Sequence, residues 1–119
     1  MAKSQDIGEG GEKAAVAYLK ERGYEVLIVN YVAQKGEIDI IALKDNILVF
    51  VEVKTRSSLE FGLPQDFVKA TKIGLLVRTA NIYIEENDRE EEARFDIIAI
   101  HKVGEKYNIQ HIEDAFYFF

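Results

Sequence analysis

The chain has 119 residues and a net charge of −6, with 48% hydrophobic and 30% charged side chains. This length favours a single domain spanning residues 1–119, and the apolar content is sufficient for one core. No apolar run approaches the roughly 20 residues that a membrane-spanning helix needs, so we expect no membrane association. The chain contains no Cys, which excludes disulfides and thiolate metal sites. The polar N-terminal segment has no apolar signal region, so we expect a cytoplasmic protein.

The acidity is concentrated in the last third of the chain. Residues 81–119 contain 4 Lys/Arg and 10 Asp/Glu, whereas residues 1–80 contain 11 of each. An acidic chain is unusual for a nucleic-acid-binding protein, which generally carries a basic surface. We interpret the acidic run at 85–92 as a solvated loop. Basic residues between 35 and 78 can still form a local basic surface if the fold brings them together.

The first half of the chain predicts one helix followed by three strands. Residues 9–22 are alanine-rich with apolar side chains at helical spacing, and Gly23 follows where a helix commonly ends. The apolar, β-branched segment 24–32 predicts a strand. Residues 36–43 and 47–55 predict two further strands, which form an antiparallel hairpin through the short polar turn between them.

The second half predicts a loop at 57–64, a helix at 65–84, and two strands at 93–103 and 106–112. Gly74 weakens that helix by about 1 kcal/mol relative to Ala. The order α-β-β-β-α-β-β predicts an α/β domain with a mixed central sheet of about five strands flanked by helices. The central strands have nearly continuous apolar runs, which is typical of a sheet covered on both faces.

Charged side chains interrupt the two central strands. Asp39 lies among isoleucines in the first of them, and Glu52 and Lys54 follow the apolar residues of the second. Residues i and i+2 of a strand share a face, so Glu52 and Lys54 project together. If the hairpin pairs symmetrically about its turn, Asp39 lies nearly opposite Glu52. Such groups are costly inside a protein unless they are paired or bind a metal.

Two carboxylates beside a lysine predict phosphodiester chemistry. Carboxylate oxygens suit Mg²⁺, and waters and substrate phosphate complete its coordination. A neighbouring lysine stabilises charge on the phosphate or positions the attacking water. The alternative is a Glu–Lys pair on a solvent-facing strand edge, and the spacing alone does not separate the two interpretations.

Several segments resemble a known family. GEIDIIA at 36–42, VFVEVKTRSS at 49–58 and FGLP at 61–64 resemble the YraN-like family of small predicted bacterial endonucleases, and the similarity runs from GEKAAVAYL at 11–19 to RFDIIAI at 94–100. That family belongs to the PD-(D/E)xK, or restriction-endonuclease-like, superfamily and is similar in architecture to archaeal Holliday-junction resolvases. The resemblance implies a restriction-endonuclease-like fold and Mg²⁺-dependent cleavage of DNA, with Mn²⁺ as a substitute ion and branched or flapped DNA as the substrate class.

The resemblance also implies a role for individual residues. Asp39 and Glu52 would ligate the metal, and Lys54 would be the catalytic lysine. Glu12, in the first helix, matches a glutamate that related resolvases bring to the same site as a metal ligand. Glu9 lies three residues earlier on the same helical face and fits that position as well.

Three residues are predicted to contact nucleic acid. Arg56 follows the lysine on its strand and is a candidate for a phosphate contact, with a solvated loop charge as the alternative. The resemblance implies that Gln65, or the adjacent Asp66, faces the substrate or orients the site. It implies the same for Lys72 in the second helix.

The remaining polar residues of the late strands have simpler interpretations. Arg94 and Asp96 flank Phe95 and predict an ion pair that supports the sheet. His101 and His111 are interpreted as surface or core residues rather than as a metal-binding pair.

Two functions of other classes are also compatible with the sequence. One is a catalytically silent nucleic-acid-binding module of the same fold. The other is an interaction protein that dimerises through the aromatic tail 115–119, which otherwise packs back onto the core. A homodimer would also match the two-fold symmetry of a DNA junction. The choice between DNA and RNA stays open at this stage.

Overall fold

The structure is a computed structural model that describes residues 3–56 and 70–115, with side chains described from residue 10 onward. The elements in chain order are α1 (Lys3–Glu21), β1 (Glu25–Ala33), β2 (Gly36–Lys44), β3 (Ile47–Arg56), α2 (Ala70–Glu86), β4 (Glu92–Val103) and β5 (Lys106–Ile112). This order confirms the predicted α/β arrangement. The predicted loop at 57–64 and the first predicted turn of the second helix, at 65–69, lie outside the described ranges.

Each helix extends beyond its predicted bounds at one of its ends. α1 begins at Lys3 rather than at residue 9, and α2 continues to Glu86, into the segment interpreted as an acidic loop. The end of α1 is as predicted. Gly23 has a φ of 88°, and the amide of Tyr24 donates to the carbonyl of Leu19 at 3.0 Å. This is the Schellman arrangement, in which glycine adopts the left-handed conformation at little cost.

The five strands form one sheet in the order β1-β2-β3-β4-β5. β3 and β4 are parallel, and every other neighbouring pair is antiparallel. The parallel pair is connected through α2, because parallel neighbours need a crossover connection. The predicted mixed sheet is therefore confirmed.

The hairpin between β2 and β3 has the symmetric register that the sequence predicted. Its ladder runs from the turn to the pair of Ile40 with Val51. Asp45 and Asn46 of the turn have φ values of 52° and 63°. Two consecutive residues with positive φ are typical of a type I′ turn, whose twist matches that of the paired strands. The register brings the segments containing Asp39 and Glu52 alongside one another.

Each face of the sheet is covered by one helix, which confirms the interpretation of the continuous apolar strands. The buried core on the α1 face consists of Ala15, Leu19, Tyr24, Ile40, Ala42, Val49, Val51, Ile98 and Ile100. The buried core on the α2 face consists of Ile38, Ile41, Leu48, Phe50, Leu76, Ala80, Tyr83, Phe95 and Ile97. Neither helix, over its described length, is long and apolar enough to cross a membrane.

The chain returns to the sheet after β5. The amide of Ala115 donates to the carbonyl of Phe95 at 2.8 Å, which ties the start of the aromatic tail to β4. Residues 116–119 lie outside the described part of the chain, so both interpretations of the tail stay predictions.

Candidate functional site

Asp39 lies at an irregularity in β2. Ile38 packs in the core on the α2 face and Ile40 packs in the core on the α1 face, although residues i and i+2 of a regular strand share a face. On the neighbouring strand, Asn30 has a φ of 57° and falls between the ladder partners of these two isoleucines. The side-chain alternation of β2 therefore changes at Asp39, where the regular ladder with β3 also ends.

The carboxylate of Asp39 reaches across to β3. Its Oδ2 accepts a hydrogen bond of 2.8 Å from the amide of Val53. Glu52, one residue earlier, is only 4% exposed. The two carboxyl groups are close enough to share a hydrogen bond. The structure thus brings together the two acidic residues that the sequence placed opposite each other.

The environment of Asp39 disfavours its negative charge. Burial is the main cause, and the negative charge of Glu52 adds to it, so that the pKa of Asp39 rises from 3.8 to about 7. The hydrogen bond from Val53 opposes this rise, whereas the hydrogen bond with Glu52 and the charge of Glu12 increase it. Glu12 is therefore an electrostatic neighbour of Asp39.

Two lysines converge on one oxygen of Glu52. Lys72 Nζ, from α2, lies 2.7 Å from Glu52 Oε2, and Lys54 Nζ lies 3.5 Å from the same atom. Burial works to lower the pKa of Lys72, but the hydrogen bond and charge of Glu52 raise it overall. Lys54, the predicted catalytic lysine, thus lies beside Glu52, and Lys72 reaches Glu52 from α2. We call Asp39, Glu52 and these two lysines the carboxylate cluster.

Close helix packing positions both sides of this cluster. A Cβ atom on Gly11 of α1 would overlap the side chain of Thr55, and a Cβ atom on Gly36 would overlap the side chain of Thr79 in α2. Only glycine allows the two helices to lie this close to the sheet. The close packing brings Glu12 of α1, and α2 itself, toward the strand segments that contain Asp39 and Glu52. This positioning role was not predicted, because Gly-Glu pairs also occur at 8–9 and 104–105 and the sequence does not distinguish the pairs at 11–12 and 36–37 from them.

The carboxylates form a pair with a nearby third member rather than a closed set of ligands. Among the described side chains, no three Asp, Glu or His residues are grouped closely enough to hold a metal ion. Asp39 and Glu52 are in direct contact, and Glu12 acts on Asp39 through its charge. The side chain of Glu9 is outside the described part of α1, so the alternative between Glu9 and Glu12 stays open.

Comparison with known proteins identifies the family. The uncharacterised protein family UPF0102 matches residues 11–100 of the chain. The chain belongs to this family. A UPF0102 protein of Flavobacterium psychrophilum is 56% identical over 119 residues, covering 100% of both chains. A UPF0102 protein of Alkaliphilus oremlandii is 44% identical over 116 residues, covering 95% of this chain and 99% of the relative.

The structure describes two of the residues that are predicted to contact nucleic acid in this UPF0102 protein. Arg56 is half-buried at the end of β3, where its Nη1 lies 3.5 Å from the carbonyl oxygen of Thr55. Lys72 is 44% exposed but is engaged with Glu52. Gln65 and Asp66 lie outside the described residues, so their prediction is not addressed by the structure.

A second buried carboxylate lies in β4. Asp96 is fully buried, and Arg94 donates to both of its oxygens at 2.9 Å. His111 Nε2 lies 2.7 Å from Oδ2, and the amide of Asp114 donates to Oδ1 at 3.0 Å. Burial works to raise the pKa of Asp96, but these hydrogen bonds outweigh it and hold the pKa below its usual range. The predicted ion pair between Arg94 and Asp96 is confirmed, and the side chain of His111 beside it is only 6% exposed.

Proposed function

We propose that this UPF0102 protein is a metal-dependent nuclease of the PD-(D/E)xK type that hydrolyses phosphodiester bonds in DNA, with branched or flapped DNA as its substrate class. The observation that carries the proposal is the geometry of three side chains: Asp39 is held by the amide of Val53 at 2.8 Å, the neighbouring Glu52 is buried, and Lys54 lies 3.5 Å from Glu52. Burial next to a like charge raises the pKa of Asp39 to about 7. Strongly shifted ionisable groups of this kind are concentrated at functional sites.

The donor set suits a hard divalent cation. Two carboxyl groups in contact repel each other when both are ionised, and a divalent ion between them removes that repulsion. Asp39 and Glu52 would hold Mg²⁺ or Mn²⁺, and Glu12, whose charge acts on Asp39, is the third proposed ligand. When bound, such an ion lowers the pKa of its water and polarises a phosphate.

The side chains of the protein would supply orientation and charge. The hydrogen bond from Val53 fixes the carboxylate of Asp39 at 2.8 Å. Lys54, 23% exposed and 3.5 Å from Glu52, is placed to hold a phosphate oxygen or a water molecule at the edge of the site. Lys54 and Arg56 lie two residues apart on β3 and so share one face of the strand, where they would contact phosphates of a polyanionic substrate.

Cleavage of linear, flapped and four-way DNA by the purified protein, with Mg²⁺ or Mn²⁺, tests the proposal. We expect cutting that EDTA abolishes and that Lys54→Met reduces by about 100-fold or more. Lys44→Met is the matched control, because Lys44 lies over the ring of Tyr24 at 4.9 Å and has no part in the cluster. A Lys54→Met protein as active as the Lys44→Met protein would contradict the assigned role.

The same assay separates the alternatives. Binding of metal and DNA without cleavage of any substrate would replace the nuclease with the silent nucleic-acid-binding module. Cleavage of RNA oligonucleotides alone would correct the substrate class while leaving the catalytic assignment in place.

A further inference from the structure

Lys72 makes the shortest ion pair in the carboxylate cluster, although the proposed hydrolysis needs no lysine from α2 on Glu52. Lys72 Nζ lies 2.7 Å from Glu52 Oε2, closer than Lys54 Nζ at 3.5 Å. Lys72 comes from α2, whereas Lys54 is attached to the same strand as Glu52. The buried carboxylate of Glu52 is therefore neutralised mainly by a side chain from another element.

The two lysines differ in their freedom to leave. Lys72 is 44% exposed, whereas Lys54 is 23% exposed and extends from a paired strand. A lysine side chain has four rotatable bonds and a strongly hydrated ammonium group, so a partly exposed one moves into solvent readily once another cation replaces it on its carboxylate. Of the two cations on Glu52, Lys72 is the one that the structure leaves able to withdraw.

A divalent ion on Glu52 would compete with Lys72 directly. Mg²⁺ binds carboxylate oxygens at about 2.1 Å, so an ion on Oε2 would lie within a few ångströms of an ammonium group that is hydrogen-bonded to the same atom. At that separation the two cations repel each other strongly in a partly buried site. This repulsion weakens the hold of Glu52 on Lys72.

We propose that Lys72 is a resident counter-cation that occupies the place of the divalent ion on Glu52 and is displaced when the ion binds. In the metal-free protein it offsets the negative charge of Glu52. Once displaced, its ammonium group lies at the exposed rim of the site and is available to a substrate phosphate. This inference rests on the proposed function only in taking Asp39 and Glu52 as a divalent-cation site.

Metal affinity provides the first test. Mn²⁺ binding is measured by calorimetry on the wild type, Lys72→Met and Lys44→Met. We expect Lys72→Met to lower the Kd for Mn²⁺ about five- to tenfold, because the ion no longer displaces a resident cation. Lys44→Met removes the same charge at a remote position and should change the Kd by less than about twofold. A Lys72→Met protein that binds Mn²⁺ no more tightly than Lys44→Met, or no detectable binding by either protein, would overturn the inference.

A second test uses only the wild-type chain and so does not depend on how the variants fold. Acetic anhydride labelling of lysines is followed by mass spectrometry with and without saturating Mn²⁺. We expect labelling of Lys72 to increase severalfold with Mn²⁺, because an amine released from an ion pair becomes accessible to the reagent. Labelling of Lys44 should not change. Labelling of Lys72 that is unchanged or slower with Mn²⁺ would refute displacement.

These outcomes are independent of DNA cleavage. Tighter Mn²⁺ binding by Lys72→Met together with release of Lys72 in the wild type, but no DNA cleavage, would remove the nuclease proposal and leave the exchange in place. Metal-dependent DNA cleavage, with neither tighter Mn²⁺ binding by Lys72→Met nor release of Lys72 in the wild type, would keep the nuclease proposal and remove the exchange.

Discussion

The same four residues, Asp-Ile-Ile-Ala, occur at 39–42 in β2 and at 96–99 in β4. Both aspartates border the central strand β3, because Asp96 pairs with Val51 and Asp39 accepts the amide of Val53. Yet their environments are opposite. Asp96 receives hydrogen bonds from a guanidinium, a histidine and a backbone amide, whereas Asp39 has one backbone donor and contacts another carboxyl group.

This difference shows that burial alone does not decide the state of a carboxyl group. Burial works to raise the pKa of both aspartates, but donors lower it for Asp96 and the charge of Glu52 raises it further for Asp39. Asp96 has the partners expected of a structural residue. Asp39 forms no salt bridge with any of the described side chains, and its nearest charged influence is the like charge of Glu52, which is the pattern expected where a ligand supplies the missing charge.

Replacing each aspartate with asparagine, in separate variants, should distinguish the residue needed for DNA cleavage from the residue needed for stability. We expect Asp39→Asn to reduce metal-dependent DNA cleavage by about 100-fold or more, because it removes a proposed metal ligand. Asp96→Asn should keep most of the activity at temperatures where it is folded. Initial cleavage rates of both variants provide the measurement, and a larger loss for Asp96→Asn would reverse the comparison.

Asp96→Asn should instead have the largest effect on stability. We expect the free energy of unfolding at pH 7 to fall by about 3 kcal/mol, because the half-buried guanidinium of Arg94 loses the nearer of its two carboxylate partners and His111 and the amide of Asp114 lose a charged acceptor. Urea denaturation followed by circular dichroism measures this change. A loss of less than about 1 kcal/mol would mean that the cluster contributes little.

The acid limb of the stability curve should also depend on Asp96. Its pKa is lower in the folded state than in the unfolded chain, so it stabilises the fold above the unfolded pKa. That contribution is lost as the pH falls through the folded pKa. We expect Asp96→Asn to have a shallower loss of stability below about pH 4 than the wild type. Parallel acid limbs would contradict this.

Asp39→Asn should stabilise the metal-free protein. The pKa of Asp39 is raised from 3.8 to about 7 on folding, so ionisation opposes folding and wild-type stability declines as the pH rises through that interval. We expect Asp39→Asn to be more stable than the wild type by about 1–3 kcal/mol at pH 8 in EDTA, with little difference at pH 4. Urea denaturation at both pH values tests the sign, and a destabilised variant at pH 8 would contradict it.

Tyr24→Phe should have the smallest effect of the series. It removes the hydrogen bond of 2.8 Å from Arg94 Nη2 to the tyrosine hydroxyl at the edge of the Asp96 cluster. We expect a loss of about 1 kcal/mol in the free energy of unfolding and no change in cleavage. Altered cleavage at equal folded fraction would show that the two aspartate regions are linked.

Much of the fold could be predicted because its signals are local. The order of elements, the end of α1 at Gly23 and the symmetric register of the β2–β3 hairpin follow from periodicity and turn chemistry. The start of α1 at Lys3 was not predicted, because its glycines have low intrinsic helix propensity. Gly11 is nevertheless suited to its position in α1, because it allows the helix to lie close to Thr55 of β3.

The sequence predicted several of the residues of the candidate site, but not which of their side chains contact one another. Asp39, Glu52 and Lys54 stand out as charges within apolar strands, and the hairpin register brings their segments together. The contact of Lys72 with Glu52 could not be derived, because it depends on how α2 packs against the sheet. Predictions of a cytoplasmic location, a homodimer and a role for Gln65 stay predictions.

The sequence by itself determined which elements form, how the hairpin pairs and which charged residues interrupt the central strands, since these depend on near neighbours along the chain. Only the tertiary structure decided which Asp-Ile-Ile-Ala aspartate is satisfied. The partners that distinguish them are remote in sequence: His111 and Asp114 reach Asp96 from 15 and 18 residues away, and Glu52 lies beyond the hairpin turn from Asp39. The energy of a buried charge depends on the donors and charges that the whole fold places around it.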